Sequence, residues 1–335
     1  MARHAFRFGE DRNPAFDLVS YGRRGAGRPA RFTPEQIAQI ARTVGRAPEV
    51  MLKVSGGGKT TGAVAAHFEY IDRHGELEIQ TDDGDRLQGK DVAAKLVEDW
   101  DLDLDAALDR WDRMERGGRV AQPKLVHNIL LSMPAGTSPS RLLAASREFA
   151  REEFALQHRY AMVLHTDQDH PHVHLVVSAH RREGGRLNIR KADLRRWREQ
   201  FARQLRRQGV AANATPAPLR GRLSDHQKDG IFRAAQRGES RVEWERERQA
   251  IRDTGSGPAG RSASLGRISQ TAKAVQHDWL LTGAALESQG LNRLAAEVER
   301  FRRSLSVPRT RQERAMPAFA HSRAEPPPMQ LEITR

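Results

Sequence analysis

The segment His165-Thr166-Asp167-Gln168-Asp169-His170-Pro171-His172-Val173-His174-Leu175-Val176-Val177 decides how this chain folds. The run His172 to Ser178 reads as a strand, in which side chains two apart share a face, so the imidazoles of His172 and His174 project together. A second apolar run, Tyr160 to Leu164, ends at His165, and the polar segment between the two runs, broken by Pro171, reads as the turn of a hairpin. Antiparallel pairing would return His165 beside His172 and His174. Three neutral imidazoles converging on one point suit a divalent ion and leave coordination positions open for water or substrate. His170 falls in the turn, and His180 lies about 20 Å beyond His174 at roughly 3.3 Å per residue, so neither is expected to ligate. Asp167 and Asp169 are expected behind the ligands, holding the second N–H of an imidazole or assisting proton transfer. The plain alternative is a His-rich loop without a metal.

Outward from the hairpin, Leu125 to Met133, Met51 to Ser55, Leu77 to Gln80 and Arg186 to Ile189 read as further strands. Helical periodicity covers Ala63 to Asp72, Asp91 to Trp100, Asp103 to Arg116, Ser140 to Phe154 and Lys191 to Gln208. Strands interrupted by helices, with a tight hairpin late in the order, indicate an α+β domain on a largely antiparallel sheet. This domain is expected over residues 49–221. Residues 1–48 read as a basic, Gly-rich arm with a short helical pattern from Pro34 to Arg46. Residues 222–306 read as a helical C-terminal region, with Arg241 to Arg252, Ala272 to Gln289 and Leu291 to Leu305 as its helices and Gly255 to Ser264 as a linker, and residues 307–335 as a disordered tail.

A chain of 335 residues with a formal charge of +13 points to a polyanionic partner, nucleic acid first. The absence of cysteine excludes disulfides, thiolate metal sites and thiol nucleophiles, leaving His and carboxylate as metal ligands. No apolar run approaches the length of a membrane span, and the opening Met1 to Asn13 lacks the apolar core of a signal peptide, so a cytoplasmic protein without membrane insertion is expected. Gly56-Gly57-Gly58-Lys59-Thr60-Thr61 lacks the spacing of a nucleotide-binding P-loop and reads as a strand-to-helix turn, at which Lys59 is a candidate phosphate contact. Arg186, Arg190, Lys191, Arg195 and Arg198 follow the metal strand and are candidate DNA contacts; the other reading is a solvated helix face.

A metal site in a nucleic-acid-binding protein suggests polarisation of a phosphodiester, for which a nucleophile is needed. Metal-bound water, Ser, Thr and Tyr are the choices. Of the three tyrosines, Tyr21 sits in the arm, Tyr160 opens an apolar strand, and Tyr70 lies on the helix launched from the glycine turn, as a packed core residue or a projecting phenol.

The ordering Val54-Ser-Gly-Gly-Gly-Lys-Thr, His67-Phe-Glu-Tyr70-Ile-Asp-Arg, Leu131-Ser132-Met-Pro134-Ala-Gly136-Thr137 and His165-x-Asp167-x-x-His170-Pro171-His172-Val-His174 resembles the relaxase/mobilization nucleases, a His-hydrophobe-His endonuclease family, and within it the border-nicking branch. The resemblance covers roughly residues 50–221. It implies that Tyr70 attacks one DNA strand at an origin of transfer and stays linked to the 5′ phosphate. It further implies that His165, His172 and His174 bind a divalent metal (Mg or Mn, with Zn as a further option), that Asp167 or Asp169 orients a ligand or helps deprotonate the tyrosine, and that Ser132 lies near the substrate backbone. Relaxosome accessory proteins, a coupling protein and a type IV secretion system are the implied partners of such a plasmid mobilization enzyme, which is exported with the strand and later reseals it. Rolling-circle replication initiators and transposases share this chemistry and differ in their DNA partner. A metal-water nuclease and a non-catalytic DNA-binding accessory protein with a structural metal site are the remaining readings.

Overall fold

The computed structural model describes residues 31–115, 117, 122–222 and 263–305, together with Ala234, Arg237, Arg241 and Glu245. The strands are β1 (Met51–Gly56), β2 (Ile79–Thr81), β3 (Arg86–Leu87), β4 (Val126–Ser132), β5 (Tyr160–His165) and β6 (His172–Ser178). The helices are α1 (Pro34–Val44), α2 (Thr61–Ile71), α3 (Val92–Asp99), α4 (Leu102–Glu115), α5 (Pro139–Phe154), α6 (Lys191–Arg207), α7 (Ala263–Ser288) and α8 (Asn292–Ser304). Residues 46–214 form one compact unit, and the second draws on residues 1–45 and 215–335.

In the first unit the six strands form one sheet in the order β1-β4-β6-β5-β2-β3, each neighbouring pair antiparallel. The expected α+β fold is the one observed. Alternation sorts the side chains onto two faces. Leu52, Ile129, Leu131, Met162, Val173, Leu175 and Val177 meet α5 and α6, whose Phe149, Phe154, Trp197, Phe201 and Leu205 complete one core. Val126, Ala161, Val163 and Val176 point the other way, where Val64, Phe68 and Ile71 of α2, Val92 and Leu96 of α3 and Leu102 of α4 cover them. Being even-numbered on β6, His172 and His174 belong to this second face.

The glycine run between β1 and α2 is built for close approach. Gly57 has φ +152°, and a Cβ there would lie 2.2 Å from the Val126 carbonyl oxygen. At Gly58 a Cβ would meet Val64 Cγ2 at 2.5 Å, so the turn needs glycine to seat α2 against β4. Thr60 then caps α2 by accepting the Ala63 N–H. The open edge of β1 is covered from α6, where Arg198 donates from Nε (3.2 Å) and Nη2 (3.0 Å) to the Leu52 carbonyl.

The strand expected from Arg186 to Ile189 is not formed: the segment contributes a single bridge, His180 to Arg186, closing the turn through Gly184 and Gly185. The two-residue β3, pairing Ile79 with Leu87, was not anticipated.

In the second unit α1, expected within an N-terminal arm, packs instead with the C-terminal helices. Ile40 shares a core with Val275, Trp279 and Leu286 of α7, Val298 and Phe301 of α8, and Leu219 of a 3-10 turn over Ala217–Arg220. Thr33 and Gln36 form a capping box at its start. Residues 1–30, with Tyr21, most of Arg241 to Arg252, residues 255–262 of the expected linker and the tail 307–335 lie outside the described residues.

Candidate functional site

Register brings the histidines together. The row Met51–Ser132–His172–His165 crosses four strands, and the next row is Lys53–Leu130–His174–Val163. The ring centroids stand 5.1 Å (His165 to His172), 4.5 Å (His165 to His174) and 5.1 Å (His172 to His174) apart. One ligand nitrogen from each lies within 4.8 Å of the others. A carbonyl only accepts, so the contact of His165 Nε2 with Ile71 O at 2.6 Å places the proton on Nε2 and leaves Nδ1 as an acceptor, which Arg73 Nη2 approaches at 3.4 Å. By the same rule His172 donates from Nδ1 to His170 O at 3.1 Å and keeps Nε2 free. Carbonyls behind two of three imidazoles are the arrangement that fixes tautomer and ring direction for metal ligands. Burial, followed by the neighbouring His165 and His172, pushes the His174 pKa down to about 3, and burial lowers that of His165. Both shifts favour the neutral imidazole that ligation requires, and the three histidines present fit a divalent ion.

Tyr70 leaves the last turn of α2 on the side away from the buried Phe68 and Ile71 and is 58% exposed. It is therefore a projecting phenol and not core. Tyr160, by contrast, is buried, and burial pushes its pKa up to about 12. Two side chains connect Tyr70 to the histidines. His67, one turn back, stacks on it with centroids 6.4 Å apart and meets His174 edge-on at 6.4 Å. Arg73, which sequence reasoning missed, turns out of the helix with φ +56°. Its Cζ lies 5.4 Å from the Tyr70 ring centroid, and its Nη2 is 3.4 Å from His165 Nδ1 and 2.5 Å from Asp167 Oδ2. The signal available was its place in the motif, three residues after Tyr70.

Of the two aspartates, Asp167 reaches the cluster, with Oδ1 4.0 Å from His165 Nδ1. Desolvation raises its pKa, but the hydrogen bond and charge of Arg73 together outweigh this and hold the carboxyl below its ordinary range. Asp169 is exposed in the turn, and among the described residues nothing ties it to the histidines. Ser132 stands beside His172 in the register, buried, and donates to the Pro171 carbonyl at 3.2 Å, fastening β4 to the histidine turn. His170 accepts the Ala135 N–H at 2.9 Å and is not one of the three histidines that converge.

The basic candidates are placed elsewhere. Lys59 precedes α2, so the helix of 11 residues separates it from Tyr70, about 16 Å at 1.5 Å per residue. Arg186 lies past the far end of β6, bound to Asp109, His180 and the Lys124 carbonyl. Arg190 and Lys191 open α6, Arg195 pairs with Glu199 at 3.7 Å, and Arg198 caps β1. The helix expected to flank the histidines packs on the opposite face of the sheet.

A six-stranded antiparallel sheet carrying three converged histidines beside an exposed tyrosine resembles a relaxase-type nuclease domain, and the known proteins to which this chain is similar are of that class. The family model described as relaxase, MobA/VirD2-like, nuclease domain, matches residues 79–210, a span that includes the histidines and begins after Tyr70. The T-DNA border endonuclease VirD2 of Rhizobium rhizogenes is 34% identical over 141 residues, 40% of this chain and 31% of that protein. The VirD2 proteins of Agrobacterium fabrum (strain C58) and Rhizobium radiobacter are 34% and 30% identical over 141 and 189 residues, 40% and 52% of this chain. The matched region spans less than half the length of these relatives, 30% and 43% in the latter two. No helix among the described residues is long and apolar enough to cross a membrane.

Proposed function

We propose that this chain is a DNA endonuclease and strand transferase that nicks one strand at an origin of transfer, with residues 46–214 as its nuclease unit. The observation that carries the reading is the exposed Tyr70 tied to the three-histidine cluster through Arg73, whose guanidinium touches the phenol, His165 and Asp167. A divalent ion held by His165, His172 and His174, Mg or Mn in the first place and Zn as an option, would withdraw charge from a phosphoryl oxygen and orient it for in-line displacement. Tyr70 Oη attacks phosphorus, the P–O3′ bond breaks, the phenol proton leaves through Asp167 or solvent, and the departing 3′ oxygen takes up a proton. The protein is then joined to the 5′ phosphate. Arg73 offsets negative charge developing on the phenol oxygen, and Asp167 keeps that guanidinium in place. Because the phosphotyrosine diester retains the energy of the cleaved bond, a free 3′ hydroxyl can attack it and reseal the strand.

In this reading the strand is piloted by the attached protein, and the natural partners are relaxosome accessory proteins, a coupling protein and a type IV secretion system. The test is a denaturing gel for covalent attachment of the protein to a labelled single-stranded origin oligonucleotide, with and without chelator. A covalent band abolished by Tyr70→Phe and by chelator is expected. A band that persists in Tyr70→Phe overturns the tyrosine assignment, nicking without a band points to a metal-water nuclease, and no nicking by the unaltered protein points to a binding accessory.

A further inference from the structure

We propose that the arginine-rimmed cavity at the end of the sheet remote from the histidines is a second nucleic-acid site that takes a phosphate-bearing nucleotide unit. The cavity, of about 410 Å³, lies between the end of α5, the first turns of α6 and the loop that follows β6. It is separated from His172 by the length of β6, about 20 Å at roughly 3.3 Å per residue, and opens on the side of the sheet that α5 and α6 cover. It shares no residue with the Tyr70 site.

Its charges do not cancel. Glu153 accepts two hydrogen bonds from the Arg196 guanidinium and one from Trp197 Nε1 at 2.6 Å, so it is fully engaged. Asp193 accepts the Arg190 backbone N–H at 2.8 Å and faces Arg196 at 3.6 Å. Arg186 is held by Asp109. That leaves Arg181 and Arg190 on the wall, both exposed, and neither guanidinium has a carboxylate partner among the described residues. Burial lowers the pKa of the adjoining His158 against the opposing hydrogen bonds to the His180 and Ser178 carbonyls, and the charge of Arg181 adds a smaller push in the direction of burial.

The rest of the lining narrows the ligand. Two free guanidinium groups suit phosphate oxygens, and the start of the 17-residue α6 opens on the same space, adding its positive end. Gln157 and Asn188, both exposed in the wall, offer amides that donate and accept, as base edges require. The volume falls in the range of small-molecule sites and exceeds what a bare phosphate would fill. The nucleotide unit belongs either to a stretch of the DNA strand away from the nick or to a free nucleotide. In the first case the inference rests on the nuclease reading above; in the second it does not.

The test compares the unaltered protein with the Arg181→Ala/Arg190→Ala variant and, separately, Asn188→Ala, at matched thermal midpoints. Anisotropy of a labelled single-stranded oligonucleotide across a salt series reads the strand; calorimetry with a deoxynucleoside monophosphate reads the free unit. Losing two phosphate contacts should lower the slope of log K against log salt by about 1.4, at roughly 0.7 per contact on single strands. Monophosphate binding should disappear in the double variant and weaken in Asn188→Ala. If the slope and the monophosphate affinity are unchanged while the protein still nicks DNA, the cavity assignment falls and the nuclease reading stands. If the monophosphate binds and is lost in the variant but no oligonucleotide binds, the cavity stands as a free-nucleotide site and the nuclease reading falls. Binding of an acidic peptide with no response to either nucleotide probe overturns the inference.

Discussion

Loading the three-histidine cluster should stabilise the nuclease unit by mass action, and removing His174 should abolish the effect. The ligand nitrogens already lie within 4.8 Å of one another, and the Ile71 and His170 carbonyls have oriented two of the rings, so little ordering is left for the ion to impose. An ion present at 100 times its dissociation constant adds about 2.7 kcal/mol to the folded state. For a unit of this size 1 kcal/mol moves the midpoint by about 2–4 °C, which gives a rise of roughly 5–11 °C. Because burial and its histidine neighbours hold the His174 pKa near 3, this ligand carries no proton to displace at neutral pH. The shift should therefore be nearly constant between pH 7 and 8. The assay is a thermal melt of chelator-treated protein titrated with Mn²⁺, Mg²⁺ or Zn²⁺. With His174→Ala only two ligands remain, and the titration midpoint should move by at least about 100-fold, beyond the loss typical of an outer support. A melt insensitive to all three ions would remove the metal assignment, and a variant that responds as the unaltered protein does would place the ion elsewhere.

Arg73→Ala should leave the metal-dependent thermal shift in place while slowing adduct formation by at least about tenfold, because the phenol loses its orientation without the ligand set losing a donor; an unchanged single-turnover rate would show that Arg73 only packs. His127 is pushed down to about 4 by burial first and then by the Lys124 charge. Its folded pKa lies below the unfolded value of about 6.5, so its contribution is present above pH 6.5 and is lost as pH falls toward 4. The full shift would be about 3.4 kcal/mol, and with partial exposure screening it, about 1–2 kcal/mol is expected. Urea midpoints of His127→Gln should fall less steeply over that window than those of the unaltered protein, and equal slopes would refute the assignment. Gly57→Ala forces a Cβ to within 2.2 Å of the Val126 carbonyl at φ +152°, so it should cost more than about 1 kcal/mol in denaturant melts; a neutral result would mean the turn is free to move.

The hairpin was legible because two constraints coincide in it. Alternation with a buried face on each side leaves one register, and Pro171 ends the turn where β6 begins, so both strands fall at the bounds read from the sequence. Helices α2, α5 and α6 were equally readable from their 3.6-residue period. That period tells a helix which of its own faces is buried and says nothing about which face of the sheet receives it. The basic helix was accordingly expected near the histidines and packs behind them. Arg198 illustrates the cost of reading charge without topology, since its guanidinium caps the edge of β1. In the turn between β5 and β6 there is no period to use, so spacing left Asp167 and Asp169 equivalent; an ion pair with Arg73 separates them. For Arg73 the motif offered a position but no direction, because its direction depends on a left-handed residue just past the helix end.

The same short stretch of backbone positions both halves of the proposed chemistry. Tyr70 projects to solvent, and the next residue buries its side chain in the core while its carbonyl receives His165 Nε2 at 2.6 Å. Two residues further on, Arg73 turns back to touch the phenol, His165 and Asp167. A displacement of the last turn of α2 therefore moves Tyr70 and His165, the proposed nucleophile and a proposed metal ligand, together. Phe68 and Ile71, fully buried against Val163 and Trp100 among others, fix that turn from below. Pre-organisation of this kind lowers the cost of reaching an in-line geometry, because the distance from phenol to cluster is set by packed core atoms and not by a mobile loop. It also explains why a tyrosine can be more than half exposed and still be held in a defined place: its own ring contributes little to the packing, and its neighbours on either side contribute the anchoring.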